Sequence, residues 1–126
     1  MFQPDLLSRG DVILVALPGH IPRRHEQQGN RPVIVMGLPW GEVRYPMLIV
    51  VPLTTQTGLW SRQNPTLYPR LEVGVGGLPQ PSIVLLDQLR SIDPRRVLAY
   101  LGTLTAEQYI PIQSGLMQLC SQASIN

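Results

Sequence analysis

Lysine is missing from this chain of 126 residues, and all ten basic side chains are arginine. A lysine general base or Schiff base is thereby excluded. What remains is the chemistry of a permanently protonated fork that grips phosphate bidentately and stacks on bases, although a lineage bias toward arginine gives the same count. Cysteine is nearly missing too. Cys120 stands alone, so no disulfide can close within the chain and no cysteine-built metal site exists. A reducing, cytoplasmic setting fits that usage. Charge is sparse: ten basic and eight acidic residues leave a formal +2, too mild a sum to announce nucleic-acid binding. No apolar run approaches the roughly 18 residues of a membrane helix. The opening Met1-Phe2-Gln3-Pro4-Asp5 lacks the basic region and apolar stretch of a secretory signal. The expectation is a soluble protein with no membrane partner. Hydrophobic residues make up 44% of the chain and charged residues 14%, which excludes a charge-extended disordered chain. The length suits a single domain over residues 1–126, with a leader over 1–8 and a frayed tail over 122–126.

What is present is a succession of short apolar runs separated by turn residues. Asp11 opens a first strand through Leu17, and the preceding Arg9-Gly10 reads as the turn that starts it rather than as part of an adhesion motif. Pro18, Gly19 and Pro22 stop that strand, and a long polar loop follows. A second strand covers residues 31–36, with Pro32 near its start where a missing N–H is tolerated. A third, over 47–53, is apolar on both faces and therefore central. Residues 57–65 read as a mobile loop and 66–73 as an edge strand interrupted by Pro69. Gly74-Val75-Gly76-Gly77 lacks the Lys and following helix of a phosphate loop and reads as a connection. Strands over 82–87 and 97–101 flank a continuation over 88–93 and a turn at Pro94-Arg95-Arg96. Thr105 with Gln108 forms a capping box for a terminal helix carrying Tyr109, Ile112, Leu116, Leu119 and Cys120 at helical spacing. Cys120 then reads as a core residue, and Pro111 should kink or delay the helix. Closely spaced strands and one helix predict a mainly β fold, a small antiparallel barrel.

Chemistry concentrates at His25-Glu26-Gln27-Gln28-Gly29-Asn30-Arg31-Pro32, where a polar loop meets a rigid strand. His20 and His25 have no Cys or third His to complete a zinc set, so no metal or other cofactor is expected. Metal-free phosphoryl chemistry on RNA needs a base for the 2′-OH, a cation for the developing charge and an acid for the leaving oxygen. Arg31 is a fixed cation at a strand start, Thr54 a hydroxyl at the end of the third strand, and His25 and Glu26 are titratable neighbours. The plainer alternatives are an Arg31 ion pair with Glu26 or Asp87, Thr54 capping a turn, and Glu26 with Gln27 bracing loop backbone. Trp40, Tyr45, Trp60 and Arg62 lie in loops where they could stack on bases or close the barrel.

Four blocks in order now carry a resemblance: Arg9-Gly10-Asp11-Val12, residues 25–33, Val51-Pro52-Leu53-Thr54-Thr55-Gln56, and Leu86-Asp87-Gln88-Leu89-Arg90-Ser91-Ile92-Asp93. Together they resemble the MazF/PemK family of toxins. The resemblance implies an SH3-like barrel with a C-terminal helix, usually a homodimer. It implies a metal-independent endoribonuclease that cuts single-stranded RNA, chiefly mRNA, at a short sequence, and a cognate antitoxin that covers the groove. Arg31 and Thr54 match the family's catalytic pair, with His25 and Glu26 as supporting catalytic candidates. Gln27, Thr55, Gln56, Asp87 and Gln88 become substrate-binding candidates. The PemK branch also uses an Arg two residues before the Asp-Gln pair and the Asp itself; here those positions are Leu85 and Asp87, so the branch's full catalytic set does not carry over. Two rivals keep the barrel and drop the catalysis: an RNA-binding module, and a CcdB-like gyrase poison, whose terminal Trp this chain lacks.

Overall fold

The computed structural model describes residues 6–18 and 29–121. Its strands are β1 (Asp11–Leu17), β2 (Gly29–Gly37), β3 (Leu48–Thr54), β4 (Arg70–Leu71), β5 (Ser82–Val84), β6 (Arg90–Ile92) and β7 (Val97–Thr103). A four-residue helix, α1 (Leu59–Arg62), follows β3, and a long helix, α2 (Ala106–Cys120), follows β7. Every strand pairing is antiparallel, and the sheet runs β4-β5-β3-β2-β1-β7, with β6 also paired to β3. The result is a curled half-barrel with the long helix packed on one face.

Alternation explains why both faces are apolar. Val12, Ile34, Met36, Val51 and Leu53 turn to one face and bury Ile112 of α2, with Tyr109 and Leu116 packed alongside. Their neighbours Ile13, Val15, Val33, Val35, Leu48 and Val50 turn to the other face, where Leu7 and Ile92 complete a second core. Strand β3 touches three partners, β2, β5 and β6, which is the central place its doubly apolar sequence requires.

The terminal helix begins where its capping box predicts. Thr105 Oγ1 accepts from the Gln108 N–H at 3.2 Å, and Gln108 Oε1 accepts from the Thr105 N–H at 2.9 Å. Pro111 does not delay it: the helix runs through that residue from Ala106 to Cys120. Pro111 sits one turn in and forfeits only the bond its N–H would make to the Glu107 carbonyl. Cys120 corrects the core reading, for it is exposed, as is Met117. The buried residues of α2 are Ile112 and Gly115. Gly115 marks the closest approach, since a Cβ there would lie 2.5 Å from the Thr66 carbonyl oxygen and 2.7 Å from Leu86 Cδ1.

Three further expectations change. Residues 57–65 contain α1 rather than loop alone. The edge strand over 66–73 contracts to Arg70–Leu71, because residues 64–68 close a turn in which the Tyr68 N–H donates to the Asn64 carbonyl at 2.9 Å. The strand over 82–87 ends at Val84. There the Leu85 N–H donates to the Pro52 carbonyl at 3.0 Å, and the Gln88 N–H closes a tight helical turn onto the Leu85 carbonyl at 3.0 Å. The glycines of 74–77 form no open loop. They wind into a turn against β7, and a Cβ on Gly102 would stand 2.6 Å from the Gly76 carbonyl oxygen.

Candidate active site

The β2–β3 ladder ends at Val33 and Pro52. Pro32 and Pro52 withdraw two N–H donors at that point, which lets the strand ends part. Val33–Pro52, Ile34–Val51 and Val35–Val50 share one register, and Arg31 of β2 and Thr54 of β3 each lie two residues beyond its last pair. Strand alternation carries both to the face away from α2, the side occupied by Val33, Val35 and Val50. Arg31 is half-buried and pairs in register with Val15 of β1. Thr54 is buried and pairs with Ile83 of β5.

The Thr54 hydroxyl has two uses available. Its oxygen accepts from the Gln56 N–H at 3.2 Å, capping the turn after β3. Its own O–H proton is free of that bond and can be donated to an incoming oxygen. Thr55 and Gln56 are exposed immediately beyond.

Thr54 and Gln56 open onto a cavity of about 270 Å³ that also takes in Trp60, Tyr68, Leu85, Asp87 and Gln88. Residues from the β3 end, α1, the turn before β4 and the turn after β5 therefore converge. Tyr68 is the residue that sequence patterning did not single out. Its hydroxyl donates to Asp87 Oδ2 at 2.6 Å. That bond, with desolvation and the Asp87 charge adding to it, pushes the Tyr68 hydroxyl up to about 12. The edge of one ring meets the face of the other between Trp60 and Tyr68, with centroids 4.9 Å apart at 87°. Gly58 permits Trp60 to fold back, since a Cβ there would be 2.7 Å from Trp60 Nε1. Leu85, at the position of the missing Arg, is buried and gives the cavity an apolar wall.

The structure thus brings four candidates together, Thr54, Gln56, Asp87 and Gln88, with Arg31 on the neighbouring strand. Thr55 is close in sequence but not part of the cavity lining. His25, Glu26 and Gln27 lie outside the described residues. Among the described residues no group of three or more His, Cys, Asp and Glu side chains could hold a metal ion, and no helix is long and apolar enough to cross a membrane. A second cavity, of about 290 Å³, lies across Tyr68 and carries Arg62 and Arg70. Arg70 there is tied to Glu72 at 3.1 Å.

Comparison with known proteins places this geometry in context. Residues 8–120 match the model of a family described as PemK-like, MazF-like toxin of type II toxin-antitoxin system. A curated relative, Endoribonuclease MazF of Staphylococcus epidermidis, is 30% identical over 111 residues, covering 88% of each chain. The crystal structure of MazF (Form-I) from Deinococcus radiodurans has a TM-score of 0.67 at 21% identity, over 92% of this chain and 97% of that one. The MazE-MazF (Form-II) structure from the same organism gives 0.65 at 20% identity, over 94% and 98%. The two solved structures establish likeness of fold.

Proposed function

The chain belongs to the PemK-like, MazF-like toxin family of type II toxin-antitoxin systems, and from that premise we propose a metal-independent endoribonuclease whose centre is Arg31 and Thr54. The observation that carries the reading is that β3 ends in the buried Thr54, which lines a cavity, next to the strand that carries Arg31. A phosphodiester of single-stranded RNA, mRNA above all, lies between them. The ribose 2′-OH attacks phosphorus in line, and the bond from phosphorus to the 5′ oxygen breaks. Arg31 neutralises charge on the nonbridging oxygens as it develops, while the Thr54 hydroxyl donates to one of them. Glu26 and His25 take the 2′-OH proton and return one to the leaving oxygen. The products are a 2′,3′-cyclic phosphate and a 5′-OH.

Gln27, Thr55, Gln56, Asp87 and Gln88 hold the RNA on either side of the scissile phosphate. The family and the solved MazE-MazF neighbour support a cognate antitoxin as the protein partner, covering the same groove. A homodimer working in the cytoplasm completes the reading.

The test is incubation of the purified protein with a long single-stranded RNA in EDTA, followed by analysis of the cut ends. Cuts at a short recurring sequence, each leaving a cyclic phosphate and a 5′-OH, are expected. Intact RNA, or ends carrying a 5′-phosphate, would defeat the reading.

A further inference from the structure

The 270 Å³ cavity beside Thr54 holds more than cleavage of the phosphodiester requires. Cutting RNA by 2′-OH attack calls for charge and proton transfer, but not for an aromatic wall. Here Trp60 and Tyr68 form such a wall, and both retain exposure: Trp60 is 42% exposed and Tyr68 is half-buried. The Asp87 carboxylate and the Gln56 and Gln88 amides line the same cavity. Aromatic faces with hydrogen-bonding groups at the rim are the means by which proteins take up a base unstacked from single-stranded RNA.

Asp87 gives the cavity its selectivity. Among the described residues its side-chain partner is Tyr68, which donates to Oδ2 and fixes the carboxylate's orientation. Among the described residues no hydrogen bond to Oδ1 accompanies it. An ionised carboxylate only accepts hydrogen bonds. Adenine, cytosine and guanine each carry an amino group that can donate to it. Uracil offers a single N–H flanked by two carbonyl oxygens, and a carboxylate approaching that N–H is repelled by both.

We infer that the cavity walled by Trp60 and Tyr68 is a base-reading subsite in which Asp87, oriented by Tyr68, accepts an unpaired base bearing an amino group and rejects uracil. This rests on the RNA-cutting reading for its biological use, but its own chemistry is binding.

The experiment reads the cavity directly. Trp40→Phe leaves Trp60 as the sole indole of the full chain, because the protein has two tryptophans. Fluorescence of Trp60 is then followed during titration with each of the four ribonucleoside 3′-monophosphates. The adenosine, cytidine and guanosine nucleotides should bind about tenfold more tightly than the uridine nucleotide. Adding Asp87→Asn, whose amide donates as well as accepts, should erase that gap. Adding Tyr68→Phe should narrow it while the quenching itself persists. Equal binding of all four nucleotides, a gap that survives Asp87→Asn, or no quenching at all would overturn the inference, the last leaving the cavity to a protein side chain. Selective quenching by a protein that cuts no RNA would uphold the subsite and remove the enzyme. RNA cutting without selective quenching would do the reverse.

Discussion

Tyr68 donates its phenolic proton to Asp87 Oδ2 at 2.6 Å, joining two turns that stand nineteen residues apart in the chain. The bond ties the segment after α1 to the segment after β5, and both segments line the cavity beside Thr54.

A titration follows from it. Tyr68 should ionise near pH 12, above the usual tyrosine value of 10.0. A raised pKa means that the folded state favours the protonated form. The associated stability is therefore complete below about pH 10, the unfolded value, and is lost as pH climbs toward 12. Subtracting the ultraviolet absorbance titration of Tyr68→Phe from that of the wild type isolates the group. Asp87→Asn should bring the midpoint back toward 10, because the bond to Asp87 is the largest cause of the shift. A midpoint unchanged by that substitution would mean that the hydrogen bond is not formed in solution.

Gly115 tests how the long helix supports the site. A methyl there meets the Thr66 carbonyl oxygen at 2.5 Å and Leu86 Cδ1 at 2.7 Å, and backbone gives way less readily than side chain. Gly115→Ala should cost about 1–3 kcal/mol by overpacking, measured by urea unfolding. Leu86 adjoins Asp87, so RNA cutting should fall in the same variant. Unchanged stability and unchanged cutting would show that α2 can shift without disturbing the turn over 86–88.

Cys120 should react with a thiol reagent at the rate of an exposed thiol in the native protein, since the last turn of α2 is exposed. Cys120→Ser should alter stability by less than about 0.5 kcal/mol. Reaction only upon unfolding would place the thiol in a packed environment and contradict the structure.

The contrast between Cys120 and Thr105 shows what a sequence discloses. Thr105 and Gln108 satisfy one another within four residues, so the start of α2 was readable from local chemistry alone. The position of β1, Asp11–Leu17, followed likewise from composition and bounding turns. Periodicity sets Ile112 and Leu116 on the packed side of α2 but does not tell how far the sheet extends beneath it, and so helical spacing alone does not reveal that Cys120 is exposed. At the site, Thr54, Gln56, Asp87 and Gln88 were legible as motif residues, and the structure gathers them around one cavity. Tyr68 was not. It stands between Pro65 and Pro69 in a turn, with no repeat to mark it, and its importance comes from a partner distant in the chain. The end of the β2–β3 ladder at Val33 and Pro52, just short of Arg31 and Thr54, is a third kind of case, for it depends on which residues of two strands pair, and neither strand states that alone.

Whether Arg31 stabilises the phosphoryl transition state is decided by Arg31→Ala. The variant and the wild type are compared on the same single-stranded RNA in EDTA, with far-ultraviolet circular dichroism and thermal unfolding as controls for fold. Removing a charge-stabilising donor should slow cutting by about a hundredfold or more while the spectrum and the unfolding midpoint stay close to those of the wild type. A folded Arg31→Ala protein that cuts at the wild-type rate would mean that Arg31 does not stabilise the transition state.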